Sequence, residues 1–322
     1  MAVLVTGGAG FIGSHLVERL LDSGREVVAL DNFDPYYSPA LKRRNLAGLE
    51  GRKGFRLVEG DIRDAALLGE ISTQVPLDSI VHLAARAGVR ASVEDPVLCA
   101  KVNVEGTVQV LELARRKSIR RLIFASSSSV YGERSRAPFR EDEPFDHPLS
   151  PYAATKAAGE MVAWTYHKLF GTAITCLRFF TAYGPRQRPE MAIHRFTRLI
   201  DLGKEVPVFG DGSARRDFTY IDDIVTGVAS ALDRADGYRV YNLGCSSTIE
   251  VREMVRLLAR ALGKPAQVKN LPLQPGDVSL THASIERASR DLDYHPATDI
   301  QAGIGKFVSW YRAQGKGAWG ED

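Results

Sequence analysis

Short, almost continuously apolar runs alternate with amphipathic stretches through the first half of the chain. Val3-Leu4-Val5, Val27-Val28-Ala29-Leu30, Phe55-Arg56-Leu57-Val58, Ile80-Val81-His82-Leu83 and Arg121-Leu122-Ile123-Phe124-Ala125 read as strands. Helical patterns separate them. The clearest covers about 101–116, with Val104, Val108, Leu111 and Leu113 around its apolar side. Strands apolar on both faces and spaced by helices predict a parallel sheet buried between helical layers. Right-handed crossovers then make it doubly wound.

The rhythm weakens after about Thr175. Prolines stand at 185, 189, 207, 265, 272, 275 and 296. This half reads as loops, short strands and three helices near 190–202, 248–262 and 300–314, forming a cap over the carboxyl edge of the sheet. The expected division is a dinucleotide-binding domain over 1–175 and a mainly substrate-binding α/β domain over 176–322. Part of 215–245 is expected to return to the first domain. There is no internal repeat and no low-complexity linker, so the halves should form one compact unit. The charged, Gly-rich end after Trp310 is expected to fray.

Composition narrows the function classes. The chain has 322 residues, 25% charged and 44% hydrophobic, with a net charge of +3. That charge is too small to imply a nucleic-acid or membrane partner, and no Lys/Arg block is longer than Lys42-Arg43-Arg44. Cys99, Cys176 and Cys245 lie too far apart for a metal site and read as buried thiols in a reducing compartment. A first strand at Ala2 leaves no room for a signal peptide, and no apolar run reaches the ~18 residues of a membrane span. The expectation is a cytoplasmic protein with no metal.

Thr6-Gly7-Gly8-Ala9-Gly10-Phe11-Ile12-Gly13 follows the first strand and opens a helix. Gly8, Gly10 and Gly13 have the Gly-x-Gly-x-x-Gly spacing, which lets backbone approach a pyrophosphate at a helix N-terminus. This predicts a Rossmann-type fold. Gly7, Gly10, Phe11, Ile12 and Gly13 are the candidate loop contacts. Asp31 ends the second strand, about 20 residues on. A carboxylate there accepts from the ribose hydroxyls and repels a 2′-phosphate, favouring NAD. Asn32 adjoins it. Asp61 and Ile62 end the third strand, in reach of an adenine. Leu83, Ala84 and Ala85 end the fourth, where small residues leave room for a cofactor. His82 reads equally well as a core histidine.

Tyr152 and Lys156 lie in Ser150-Pro151-Tyr152-Ala153-Ala154-Thr155-Lys156, a good helix start. Spacing i, i+4 places both on one face, ~6 Å apart along the axis. An ammonium beside a phenol favours the phenolate. That makes a base for a sugar hydroxyl proton, leaving as hydride leaves the same carbon. The cluster Ser126-Ser127-Ser128-Ser129 ends the fifth strand, at the sheet edge where ligands bind.

Together these segments resemble the extended short-chain dehydrogenase/reductase family, in its NAD-dependent epimerase/dehydratase group. The likeness runs from Ala2 to about Trp310 and includes Val130-Tyr131-Gly132 and Arg216-Asp217-Phe218-Thr219-Tyr220-Ile221-Asp222-Asp223. It implies that Ser127, Tyr152 and Lys156 are the catalytic hydroxyl, base and lysine. It puts Asn103 near a tightly bound NAD that is regenerated each cycle. It puts Arg216 on the substrate diphosphate, Asp277 on the uridine ribose and Phe209 near the base. It also implies a homodimer through helices near 95–116 and 151–170. Within the group the chain most resembles UDP-glucuronate 4-epimerases, through Asp31-Asn32-Phe33-Asp34-Pro35-Tyr36-Tyr37, Ala87-Gly88-Val89-Arg90 and the stretch from Arg178 to Ala192. Thr181 stands where the wider group usually has Asn. Gln274 stands near where galactose epimerases carry an arginine for the diphosphate.

Related dehydratases need an acid–base pair just after the catalytic hydroxyl. Here those positions are Ser128 and Ser129, which cannot titrate. Arg188, with Thr181, Ser128 and Ser129, is the candidate clamp for a uronate carboxylate. The rival expectations are a UDP-glucose 4-epimerase, a UDP-glucuronate decarboxylase and a non-catalytic NAD-sensing protein. The last would be expected to lose Tyr152 or Lys156.

Overall fold

The structure is a computed structural model that describes residues 1–133, 136–144, 147–273 and 278–315. Six strands run in chain order: β1 (Ala2–Thr6), β2 (Glu26–Asp31), β3 (Phe55–Glu59), β4 (Leu77–His82), β5 (Arg121–Ser127) and β6 (Ala173–Phe179). With Tyr238–Leu243 they form one parallel sheet, ordered Tyr238–Leu243, β6, β5, β4, β1, β2, β3. The order reverses between β1 and β4, the point where a doubly wound sheet opens a crevice at its carboxyl edge. β6 crosses residue 175, so the sheet layer extends past that position.

Helices cover both faces: every residue of β1 is buried, and its neighbours β2 and β4 are buried over Val27–Asp31 and Ser79–His82. One cluster of buried apolar side chains runs from Val3 and Val5 through Ile224 to Met254 and Phe307. The two halves therefore share a core. No described helix is long and apolar enough to cross a membrane.

The helix expected at 101–116 differs in a useful way. Pro96–Ala100 is α-helical, Lys101–Glu105 is a π turn, and Gly106–Arg116 is α-helical again. The buried face of the last segment carries Thr107, Val110, Leu111 and Ala114. Val104 and Val108 are only half-buried. A π turn inserts an extra residue and rotates the later turns of the helix about its axis.

The cap contains Ala192–Asp201, Val251–Leu262 and Ile300–Ala313, close to the three expected helices. The last remains helical past Trp310 as far as Ala313, because Phe307, Val308 and Tyr311 anchor it in the core. A further long helix, Ile221–Arg234, was not among the three expected. It buries Ile221, Ile224, Val225, Val228 and Leu232, the spacing of one helical face.

Candidate active site

The glycine loop is shaped by contacts that exclude side chains. Gly7 has φ +71°, and a Cβ there would lie 2.8 Å from the Ala84 backbone nitrogen. A Cβ on Gly13 would lie 2.1 Å from the Gly7 carbonyl oxygen, so the helix Phe11–Asp22 sits directly on the loop. That helix has no side-chain cap at Gly10. Its first-turn amides have no intrahelical acceptor, which suits an anion.

Asp31 is buried at the end of β2. It accepts from Ala9 N at 3.1 Å and Phe33 N at 2.9 Å. Lys42 Nζ lies 3.7 Å away, also buried. The carboxylate thus fixes the loop as well as facing the cleft. Asn32 donates to Asp61 at 3.0 Å. Two further bonds from Arg63, at 2.9 and 2.8 Å, hold the Asp61 carboxyl down at about 2.

The helix Pro151–Phe170 starts cleanly because Ser150 Oγ accepts from Ala153 N at 3.1 Å and Pro151 occupies the first turn. Such a cap contributes about 1 kcal/mol. The helix presents Tyr152 and Lys156 to the carboxyl end of β5. Lys156 Nζ donates to the Ala125 carbonyl at 2.6 Å and sits 5.9 Å from the centre of the Tyr152 ring. Burial lowers the Lys156 amine to about 8, against the opposing pull of Cys99 and Glu160. Burial pushes the Tyr152 phenol up, while a hydrogen bond with Ser127 and the Arg188 charge pull it down. The expectation that Lys156 would lower this phenol is corrected: among protein groups, burial outweighs the attractions, and Ser127 and Arg188 supply them.

Ser127 ends β5 and its Oγ donates to Ser129 Oγ at 3.2 Å. Ser128, Ser129, Thr181 and Arg188 line the same cleft as Ser127, Tyr152 and Lys156. Gly7, Gly10, Phe11, Ile12 and Gly13 form its floor with Asp31, Asn32, Asp61 and Ile62. Leu83, Ala84 and Ala85 complete that part of the wall. Arg188 is held by Glu190 at 3.1 Å and by the Ala87 carbonyl at 3.3 Å.

Three expected residues stand elsewhere. Asn103 does not line the cleft, because its amide is spent on protein. Its Oδ1 accepts from Arg86 N at 2.7 Å, and its Nδ2 donates to Arg86 O at 3.1 Å and Thr155 Oγ1 at 3.0 Å. It serves the site by tying the loop after β4 to the Tyr152 helix. Phe209 is half-buried under the Arg90 guanidinium, 4.7 Å from ring centre to carbon. Arg216 pairs by its backbone with Ile249 in a short ladder. Neither lines the cleft that holds Tyr152. Asp277, like Gln274, lies outside the described residues. His82 is a core histidine, bonded to Thr6 at 2.7 Å and Thr107 at 3.1 Å.

Sequence reasoning assigned no role to Arg86, Tyr36, Tyr37 or Lys42, all of which line the cleft. Arg86 pairs with Asp34 at 2.8 Å and stacks on Tyr36 at 4.3 Å. The available signal was the pair of tyrosines shortly before a lysine. Among the described residues, no cluster of His, Cys, Asp and Glu could hold a metal ion.

Comparison with known proteins places this geometry. The chain is 46% identical to UDP-glucuronate 4-epimerase 3 of Arabidopsis thaliana, over 96% of this chain and 76% of that one. Its fold matches the crystal structure of UDP-glucuronic acid 4-epimerase from Bacillus cereus in complex with UDP-glucuronic acid and NAD. The TM-score is 0.92 at 38% identity, covering 97% of this chain and 99% of that one. It also matches UDP-glucose 4-epimerase from Thermotoga maritima with UDP-glucose, with a TM-score of 0.90 at 32% identity, covering 98% and 99%. The profile of the NAD dependent epimerase/dehydratase family matches residues 3–244. With three quarters of its length under that profile and a cleft of the corresponding chemistry, the chain belongs to the NAD dependent epimerase/dehydratase family.

Proposed function

We propose that the protein is an NAD-dependent UDP-glucuronate 4-epimerase, interconverting UDP-glucuronate and UDP-galacturonate through a 4-keto sugar. The observation that carries this reading is one shared cleft: Arg188, Thr181, Ser128 and Ser129 line it beside Ser127, Tyr152 and Lys156.

The residues fit a dinucleotide. Gly7 and Gly13 keep clear a cradle that a Cβ would fill, the uncapped helix start beyond Gly10 suits a pyrophosphate, and Asp31 suits ribose hydroxyls. When bound, NAD supplies a reversible acceptor and donor of hydride for C4.

The rest of the chemistry belongs to this chain. Tyr152 takes the O4 proton and returns it to the opposite alcohol. Ser127, beside Tyr152 in the cleft, steadies the same oxygen. Lys156, fixed on the Ala125 carbonyl, holds positive charge beneath the phenol. Ser128 and Ser129 offer no acid–base pair, so elimination lacks its catalysts. Arg188 grips the C6 carboxylate of the 4-keto intermediate, a β-keto acid, and resists its loss as CO₂.

A homodimer belongs to the same reading. It is supported by Val97, Met161, Trp164 and Leu169, which stand exposed on the helices Pro96–Ala100 and Pro151–Phe170. A cytoplasmic location is supported by three unpaired thiols.

The test is NMR of the purified protein with UDP-glucuronate and, separately, with UDP-glucose, without added reductant. UDP-galacturonate alone is the expected product. UDP-galactose from an enzyme inert toward the uronate would replace the substrate assignment with a neutral sugar.

A further inference from the structure

Three side chains of the Tyr152 helix, at 152, 156 and 160, meet three consecutive residues at the end of β5. Tyr152 stands with Ser127 in the cleft. Lys156 donates to the Ala125 carbonyl at 2.6 Å. Between them, Ser126 Oγ donates to Glu160 Oε1. Glu160 is also gripped from β6: Arg178 donates through Nε at 2.9 Å and Nη2 at 2.8 Å. Both members of this ion pair are 2% exposed.

An ion pair so deeply buried is weak grounds for stability, because desolvation offsets most of its attraction. Hydrophobic residues would fill the same volume at no such cost. What the pair supplies that an apolar contact would not is direction and charge. A bidentate fork fixes the carboxylate plane, and the carboxylate then fixes the Ser126 hydroxyl, one residue before Ser127.

We propose that Glu160 is a positioning residue for the reaction. Held by Arg178, it locks the end of β5 to the third turn of the Tyr152 helix, and so sets Ser127 and Lys156 against Tyr152. This rests on the reading of Tyr152 as the base.

The charge has a second effect. The groups facing Lys156 are Tyr152 and Glu160 on its own helix, Cys99 on the helix Pro96–Ala100 and His82 at the end of β4. His82 is neutral, because burial and the Lys156 charge lower it to about 3. Burial lowers the Lys156 amine, and Cys99 and then Glu160 pull it back up. Without Glu160, the ammonium is lost at lower pH.

The experiment compares the parent, Ser126→Ala, Tyr152→Phe and the double variant Glu160→Gln/Arg178→Gln, which removes both buried charges together. Thermal melting and NAD content are measured first, then kcat and KM for UDP-glucuronate from pH 6 to 10. The double variant is expected to retain NAD and to keep KM within about threefold. Its kcat should fall by about tenfold or more, and the alkaline limb of its kcat profile should move to lower pH by roughly half a unit. Ser126→Ala is expected to lower kcat without moving that limb, since it breaks the strand contact and keeps the charge. A folded, NAD-loaded double variant with kcat within about twofold and an unmoved limb would overturn the proposal, provided Tyr152→Phe is inactive. Full turnover by Tyr152→Phe would instead bring down the reading of the base, and this inference with it. If the double variant fails to fold, Ser126→Ala decides alone: parental kcat there is the overturning result.

Discussion

Replacing Arg188 with leucine isolates the group assigned to the sugar carboxylate. Leucine keeps much of the apolar stem and removes the fork. A hydrogen bond to a charged group contributes about 1.5–3 kcal/mol, and truncating one partner of a desolvated pair costs about 2–5 kcal/mol. The Arg188 side chain is 20% exposed and already shared with Glu190, so the lower part of that range applies. A loss of about 2–3 kcal/mol corresponds to roughly 30- to 150-fold in kcat/KM for UDP-glucuronate. UDP-glucose, which offers no carboxylate, should stay inert with parent and variant alike. NMR follows both substrates, and NAD content with thermal melting shows that the fold is kept. A second signature is expected: with the fork gone, part of the 4-keto sugar should lose CO₂, giving a UDP-pentose. The reasoning is refuted if a folded, NAD-loaded Arg188→Leu protein turns over UDP-glucuronate within about threefold of the parent and yields no pentose.

The loop and the core each carry a further expected outcome. Gly13→Ala places a Cβ 2.1 Å from a backbone oxygen of the glycine loop; the loop must move, costing about 1–3 kcal/mol, with NAD content after purification falling well below one per chain. His15, His82 and His194 are lowered, chiefly by burial, to about 4, 3 and 4. Their unfolded values lie near 6.5, so the unfolded chain binds more protons below that pH. The stabilisation is complete above pH 6.5 and is lost as pH falls toward 4, by about 2 kcal/mol per histidine at pH 5. Thermal melting from pH 8 to 5 should show the loss, and a flat profile would mean that these rings titrate normally.

The sheet was legible because parallel strands buried on both faces write themselves as apolar runs. The glycine loop was legible because its constraint is local, and Tyr152 with Lys156 because i, i+4 is a fixed geometry. Ile221–Arg234 also carries a helical period, but it directly follows the strand Phe218–Tyr220 and opens with two aspartates. Its apolar side is clear only once the core it meets is known. The π turn at Lys101–Glu105 had no signal of its own. It is stabilised by the surroundings of Asn103, namely the Arg86 backbone and Thr155, both distant in sequence. Lys42 stands out in sequence only as part of a short basic run, yet it is buried beside Asp31. Roles set by partners 11 or more residues away cannot be read from local pattern.

The shared core bears on how the reaction avoids leaking. A keto sugar must turn over to receive hydride on its other face, and while it turns it is held only by its nucleotide. Apolar packing joins Val3 and Val5 to Met254 and Phe307, so parting the cap from the sheet would expose core side chains. Entry and escape then fall to the cleft's own walls, where Tyr36 lies stacked on Arg86 and near Arg188. Fidelity is then a contest between rotation of the keto sugar inside the cleft and opening of that rim.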